Sequence, residues 1–141
     1  LRALGIENIL ALRGDIPEGL DRTKLSYHYA YELIAEIRDF GGFCIGGACY
    51  PECHPESENS AKDIEYLKIK VENGCEFLTT QMFFDNSILY NFLYRLLRAG
   101  VDVPVVAGGN KRRADQTDRV DFRHAAAAEI FTDRRPIRFK P

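Results

Sequence analysis

Short apolar segments alternate with amphipathic helical segments along the first 108 residues, with a period of about 30 residues, the size of a strand–helix–strand unit. The predicted strands are residues 6–12, 43–50, 75–84 and 103–107, and the predicted helices are residues 29–40, 60–73 and a segment from Asp85 or Asn86 to Gly100. Such alternation predicts an α/β fold with a parallel sheet and right-handed crossovers. The pattern by itself does not distinguish half of a closed barrel from a small open sheet.

Local signals set the expected ends of these helices. Ser60 with Asp63 three residues later predicts a capping box, and Gly74 and Gly100 predict helix C-termini. The residues at helical spacing that predict buried faces are Leu33, Ile34, Ile37 and Phe40, then Ile64, Leu67 and Val71, and finally Leu89, Phe92, Leu93, Leu96 and Leu97. Residues 1–5 look like the last turn of a helix capped by Gly5, so we expect the sequence to be a piece of a longer chain.

The totals fit one soluble domain, since 45% of the 141 residues are hydrophobic. A net charge of -2 gives no electrostatic reason to expect nucleic acid or an anionic membrane as a partner. No apolar run approaches the roughly 20 residues that span a bilayer, and the start does not read as a signal peptide, so we expect a cytoplasmic protein. Residues 109–141 are polar and Arg-rich apart from a possible short helix at residues 125–128; we expect them to be poorly ordered or foreign to the domain.

Unusual side chains follow three of the predicted strands. They are Arg13 and Asp15 after the first, Tyr50, Glu52 and His54 after the second, and Thr80, Gln81 and Asp85 near the end of the third. Because parallel strands end at the same edge of a sheet, the pattern favours one shared ligand site. Each residue also has a plainer interpretation: Arg13 and Asp15 as a surface ion pair, Tyr50 as a core aromatic, His54 as a structural histidine.

Asp63, Tyr66 and Lys70 lie at helical spacing on one face, which indicates either a solvated stripe or contact with a ligand. Zinc is disfavoured, because Cys49, Cys53 and His54 lack the second, well-separated pair that structural zinc sites show. A generic α/β binding module that uses zinc nevertheless stays open as an alternative. Walker A, G-x-G-x-x-G, G-x-S-x-G and H-E-x-x-H sequences are absent.

Three motifs stand out at the ends of the first three predicted strands: Leu10-Ala11-Leu12-Arg13-Gly14-Asp15, Tyr50-Pro51-Glu52-Cys53-His54-Pro55-Glu56 and Thr79-Thr80-Gln81-Met82-Phe83-Phe84-Asp85. They closely resemble successive motifs of the 5,10-methylenetetrahydrofolate reductase family. The resemblance covers residues 1–108 and implies a (β/α)8 TIM barrel, of which this chain would hold the fourth to seventh strand–helix units. It implies reduction of 5,10-methylenetetrahydrofolate to 5-methyltetrahydrofolate by NAD(P)H through FAD, in a protein that is a homo-oligomer when complete.

The resemblance also implies roles for individual residues. Asp15 and Gln81 would be catalytic: Asp15 beside the flavin pyrimidine edge, where its charge promotes onward hydride transfer, and Gln81 on the folate pterin. The residues implied to bind FAD are Arg13, Gly14, Asp15, Tyr29, Ala30, Tyr50, His54, Ser57, Asp63 and Lys70. No metal is implied.

The chain also departs from the family pattern. The first three strands, with the glutamate that protonates the folate nitrogen, are missing, and residues from Gly109 onward do not match. Tyr66 and Ile69 replace more polar residues of the helix along the cofactor. The alternative hypothesis is therefore an inactive fragment or a flavin-binding remnant.

Overall fold

The computed structural model of the chain describes residues 4–14, 19, 21, 23 and 25–108. Strands and helices alternate as β1 Asn8–Ala11, α1 Ala30–Phe40, β2 Cys44–Cys49, α2 Ser60–Glu72, β3 Phe77–Thr80, α3 Asn86–Arg98 and β4 Val105–Val106. The four strands form one parallel sheet in the order β1-β2-β3-β4. The predicted α/β fold with a parallel sheet is confirmed.

The strands are shorter than the apolar segments that predicted them. At the start of β3, the Cys75 N–H donates to the Lys70 carbonyl at 3.0 Å and so belongs to the turn after α2. At its end, the Met82 N–H donates to the Gln81 side chain at 2.9 Å instead of continuing the ladder. The strand therefore covers residues 77–80 and not 75–84. β1 and β4 stand at the edges of the described sheet and are shortened as well.

The N-terminus of α2 is capped differently from the prediction. Asn59 is the N-cap, and its Oδ1 accepts hydrogen bonds from the backbone N–H groups of Ala61 and Lys62 at 3.1 and 2.9 Å. The predicted capping box of Ser60 and Asp63 is therefore wrong by one residue. The physical reason is that an asparagine one residue earlier satisfies the free N–H groups itself, which leaves the Asp63 carboxylate for other donors.

The other helix ends lie close to the predictions. Asp85 caps α3 by accepting from the Ser87 N–H at 2.8 Å, as predicted. Gly100, at φ 75°, follows the C-cap Ala99. The C-cap of α2 is Asn73, and the predicted Gly74 is the next residue, with φ 112°.

The core lies between the sheet and the helices, and most of the predicted apolar faces are buried in it. Its largest fully buried side chains are Phe92, Ile34, Ile45, Leu78 and Cys49. Phe40 and Leu97 were expected to be buried, but they are 75% and 65% exposed. Both lie in the last turn of their helix and at one edge of its apolar stripe, so they point past the sheet.

No helix within the described ranges is both long enough and apolar enough to cross a bilayer. Several expectations fall on residues outside those ranges: the helix turn at residues 1–3, the position of Asp15, the short helix at residues 125–128 and the character of residues 109–141.

Candidate functional site

The carboxyl ends of β1, β2 and β3 lie at one edge of the sheet, because the three strands are parallel neighbours. Arg13 stands two residues beyond β1, Tyr50 directly follows β2, and Gln81 directly follows β3. The Gln81 N–H donates to the Cys49 carbonyl at 2.7 Å, which ties the ends of β2 and β3 together. The residues predicted to form a site at the strand ends are therefore neighbours along one edge.

Arg13 spans the gap between the end of β1 and the loop that follows β2. Its Nη1 and Nη2 donate to the two carboxylate oxygens of Glu56 at 2.7 and 2.9 Å, and its Nε donates to the Gly14 carbonyl at 3.2 Å. Gly14 adopts φ 76°, a backbone conformation that suits glycine. The Arg13 side chain is 19% exposed and that of Glu56 is 49% exposed. A bidentate pair of this kind fixes orientation as well as distance.

His54 is held on three sides within the loop between β2 and α2. Its Nδ1 accepts a hydrogen bond from the Glu56 N–H at 3.1 Å, and its ring meets Tyr50 edge-on, with centroids 4.5 Å apart and planes at 75°. Its backbone N–H donates to Asp63 Oδ2 at 3.3 Å. Because Nδ1 accepts, the ring proton lies on Nε2, so the ring offers an N–H donor there.

Asp63 anchors this loop to the first turn of α2. Its carboxylate accepts from the His54 N–H through Oδ2 and from the Ser57 hydroxyl through Oδ1, the latter at 3.0 Å. The residue is only 7% exposed. The positive end of the helix macrodipole favours a carboxylate at this position, and the two donors compensate for its burial. Ser57, His54 and Asp63, three predicted cofactor residues, therefore form one hydrogen-bonded unit.

The side chain of Lys70 extends from α2 to β2. Its Nζ donates to the Ala48 carbonyl at 2.8 Å. A Cβ atom added at Gly47 would stand 3.1 Å from the Cys75 Sγ and 3.6 Å from the Lys70 Cδ, so the lysine stem passes over the strand where a glycine leaves room for it. Burial lowers the pKa of Lys70, although the nearby Cys75, Cys49 and Asp63 act in the opposite direction. The ammonium group is held against the end of β2.

Tyr29, Ala30 and Gln81 lie at the same edge of the sheet, without a hydrogen bond to this unit among the described residues. Tyr29 is the N-cap residue of α1, with Ala30 directly after it, and the Tyr29 ring stacks on Tyr31 with centroids 5.4 Å apart and planes at 9°. Gln81 is exposed and its side-chain oxygen accepts from the Met82 N–H. Asp15, the predicted catalytic carboxylate, lies outside the described residues.

Two residues that shape the site were not among the predicted site residues. Glu56 pairs with Arg13 by its side chain and with His54 by its backbone N–H. Arg95 of α3 donates from Nη2 to the Pro51 carbonyl at 3.2 Å and thereby holds the start of the same loop. Glu56 is the last residue of the second family-like motif, and this position is the sequence signal that could have indicated its role. Nothing in the sequence near Arg95 marks its contact, which joins residues 44 positions apart.

The cysteines do not gather with other ligands. Within residues 4–14, 19, 21, 23 and 25–108, no group of three His, Cys, Asp or Glu side chains is placed to hold a metal ion. All four thiols are free, and the Cys53 Sγ donates to the His54 carbonyl at 3.7 Å. Burial raises the pKa of Cys49 to about 12.

Comparison with known proteins places the chain among relatives of one kind. The family model described as methylenetetrahydrofolate reductase matches residues 1–109. Methylenetetrahydrofolate reductase 2 of Saccharomyces cerevisiae is 43% identical over 111 residues, covering 74% of this chain and 18% of that protein. The 5,10-methylenetetrahydrofolate reductase of Escherichia coli is 38% identical over 104 residues, covering 74% of this chain and 34% of that protein. Methylenetetrahydrofolate reductase (NADH) 1 of Arabidopsis thaliana is 35% identical over 124 residues, covering 77% and 21%.

The chain thus spans between 18% and 34% of the length of these relatives. A solved structure of a Clostridium thermocellum protein, described as binding two copies of 5-methyl-5,6,7,8-tetrahydrofolic acid, is similar over 75% of this chain and 37% of that one. Its TM-score of 0.45 and identity of 18% are too low to support any conclusion about this chain.

Proposed function

This chain belongs to the methylenetetrahydrofolate reductase family, and we propose that it carries part of the flavin and folate site of an FAD-dependent reductase. The reaction is the reduction of 5,10-methylenetetrahydrofolate to 5-methyltetrahydrofolate with NAD(P)H. The observation that carries the proposal is that Arg13, Tyr50 and Gln81, from three separate motifs, stand at the ends of adjacent parallel strands. Ligands of open and barrel α/β folds bind at this edge.

We place the sheet in a (β/α)8 barrel, as its fourth to seventh strands. The spatial order of the strands follows the order of the chain without a reversal. With right-handed crossovers, that order puts every helix on the same face. The opposite face would then line the inside of a barrel, as in the family.

The described residues fit a flavin dinucleotide by the chemistry of their donors and surfaces. Such a ligand combines a flat ring system, which packs on an aromatic side chain, with a polyol and a pyrophosphate, which need hydrogen-bond donors and positive charge. Tyr50 offers the aromatic surface, the His54 Nε2–H a donor, and Arg13 and Lys70 the positive charge. A Cβ atom added at Gly14 would meet no atom of the described residues within 4 Å, so among these residues the backbone beside Arg13 is open to a close approach.

A bound flavin supplies hydride transfer from a nicotinamide to the folate methylene carbon. The chain's own residues would bind and orient the reactants. Tyr50 would cover a ring face and exclude water, and the Gln81 amide, which both donates and accepts, would orient the pterin. Asp15, one residue past Gly14, would set a negative charge at the pyrimidine edge of the ring.

A titration of the 141-residue chain with FAD, followed by quenching of flavin fluorescence, tests the proposal. We expect saturable binding in the native chain and about fivefold weaker binding in Tyr50→Leu, because one lost aromatic contact is worth about 1 kcal/mol. Tyr90→Leu is the matched control, since Tyr90 is an exposed tyrosine of α3. Equal quenching by both variants, or none by the native chain, would refute the site.

Turnover of menadione with NADH or NADPH separates the reductase from a remnant that only binds flavin. A chain that binds FAD and reduces menadione supports the enzyme. Saturable binding without turnover would support the flavin-binding remnant instead.

A further inference from the structure

Glu56 contacts two of the predicted cofactor residues by two different groups. Its carboxylate accepts from both Nη atoms of Arg13 at 2.7 and 2.9 Å. Its backbone N–H donates to His54 Nδ1 at 3.1 Å. The first contact joins residues 43 positions apart, so it ties the end of β1 to the loop between β2 and α2. Glu56 is therefore the point at which two motifs of the chain meet.

The geometry of this pair favours a role in positioning. Arg13 is only 19% exposed, whereas Glu56 is 49% exposed. Exposed ion pairs contribute little to stability. Because the Glu56 carboxylate is half exposed, we expect this pair to behave more like an exposed ion pair than like a buried one. Two parallel N–H···O bonds nevertheless restrict the plane of the guanidinium, which a single contact does not. Loss of Glu56 should therefore change the orientation of Arg13 more than it changes folding.

The backbone contact extends the effect to His54. An acceptor role for Nδ1 requires the ring proton to be on Nε2, and the edge-on contact with Tyr50 restricts rotation of the ring. The ion pair with Arg13 is one anchor of the Glu56 backbone, beside the turn in which the Ser57 N–H donates to the His54 carbonyl at 2.9 Å. Releasing the carboxylate from Arg13 would thus let the N–H move away from Nδ1.

We propose that Glu56 is a positioning residue, which fixes the guanidinium of Arg13 and holds the His54 ring with its proton on Nε2, so that both present donors to acceptor oxygens of the cofactor. The contact of these two donors with the cofactor rests on the function proposed above. Arg13 and His54 would touch the cofactor, and Glu56 would act only through them.

The test compares Glu56→Gln with Glu58→Gln in the 141-residue chain. Glu58 is an exposed glutamate of the same loop and serves as the matched control. Side-chain 15N spectra report which histidine nitrogen carries the proton; the chain has three histidines, and a His54→Gln spectrum identifies the signal of His54. FAD affinity and the urea midpoint are measured on the same samples. Arg13→Gln removes the same ion pair by changing its other member, and it replaces Glu56→Gln in the test if that variant does not fold.

In the native chain and in Glu58→Gln we expect His54 with its proton on Nε2. In Glu56→Gln we expect a mixture of the two tautomers and FAD binding weaker by about tenfold, with a urea midpoint close to that of the native chain. An unchanged tautomer together with unchanged FAD affinity overturns the proposal. If the tautomer changes but the native chain binds no FAD, the coupling of Glu56 to Arg13 and His54 is supported and the proposed function fails.

Discussion

The thiols of Cys49 and Cys75 are buried, and the partly buried side chain of Lys70 lies close to them. Burial raises the pKa of Cys49 to about 12 and that of Cys75 to about 11, although the Lys70 ammonium acts in the opposite direction on both. The same burial lowers the pKa of Lys70. Desolvation outweighs the charge of the neighbouring ammonium, so both thiols stay protonated and unreactive at neutral pH. Cys49 and Cys75 are members of the hydrophobic core.

Cys49 should make the chain less stable at alkaline pH. The unfolded thiol titrates near 9.0 and the folded one near 12, so the folded state retains a proton that the unfolded state loses. The stability contributed by this group is complete below pH 9 and is lost as the pH rises towards 12, by about 1.4 kcal/mol per pH unit. The free energy of unfolding is measured in urea at pH 9 and at one pH unit higher. Between these two values it should fall clearly less in Cys49→Ala than in the native chain.

A constant offset between the two proteins is expected as well, because removing a buried side chain costs stability at every pH. The prediction is therefore tested by the change in the free energy of unfolding with pH, and not by its absolute value. Cys53→Ala is the control, since the Cys53 thiol is only partly buried. If Cys49→Ala loses as much stability per pH unit as the native chain, the thiol is not desolvated as described.

At the level of single residues, the sequence predicted which residue types stand at the strand ends but not what they contact. Asp63 was assigned to a capping box, whereas it binds His54 and Ser57. Helix capping is read from neighbouring residues, and Asn59 competes for the same N–H groups. Glu56 was missed because Arg13 is distant in the chain. The position of Asp15 stays a prediction.

The packing of β2 on β3 depends on a glycine beneath an aromatic ring. Gly46 pairs with Phe77 in the register of the two strands. A Cβ atom added at Gly46 would overlap three atoms of the Phe77 ring. The Phe77 ring is buried against Gly46. At this pair of residues the sheet therefore has room for one large side chain and not for two.

Gly46→Ala should destabilise the chain by about 1–3 kcal/mol, the usual cost of overpacking a core. In a Phe77→Leu background the same substitution should cost clearly less, because the smaller side chain leaves space for the added methyl group. A double-mutant cycle of urea unfolding free energies measures this coupling. An identical cost in both backgrounds would show that the ring does not limit the space at Gly46.

At the level of elements, hydrophobic periodicity predicted every strand and helix of the described part, and its errors have physical causes. The apolar segment at residues 75–84 is longer than β3 because Cys75 and Met82 direct their N–H groups into turns. Phe40 and Leu97 have the right spacing for burial but stand at the margins of their helices. Periodicity shows which face of a helix is apolar, and tertiary packing decides how much of that face is covered.

At the level of the whole molecule, the two faces of the sheet differ. Gly47 faces α2, since its added Cβ would approach Lys70, so its neighbour Gly46 faces the other way. Leu10 and Phe77 share the register of Gly46 and lie on that second face. Alternation of strands and helices predicted the parallel sheet, but closure depends on strand order, which no local pattern encodes. The unbroken order is the property that the barrel proposal requires.

A chimera tests this placement directly. Residues 1–108 would replace the segment of the Escherichia coli relative that they match at 38% identity. If β1 to β4 are the fourth to seventh strands of a barrel, the face of the sheet opposite the helices will pack against the rest of the parent chain. We then expect FAD affinity and menadione turnover with NADH within about tenfold of the values measured on the parent in parallel. Tyr50→Leu in the chimera should weaken FAD binding, whereas Tyr90→Leu should not. If the parent binds flavin but a chimera that is folded by circular dichroism does not, the barrel placement is contradicted, because the parent supplies the rest of the chain.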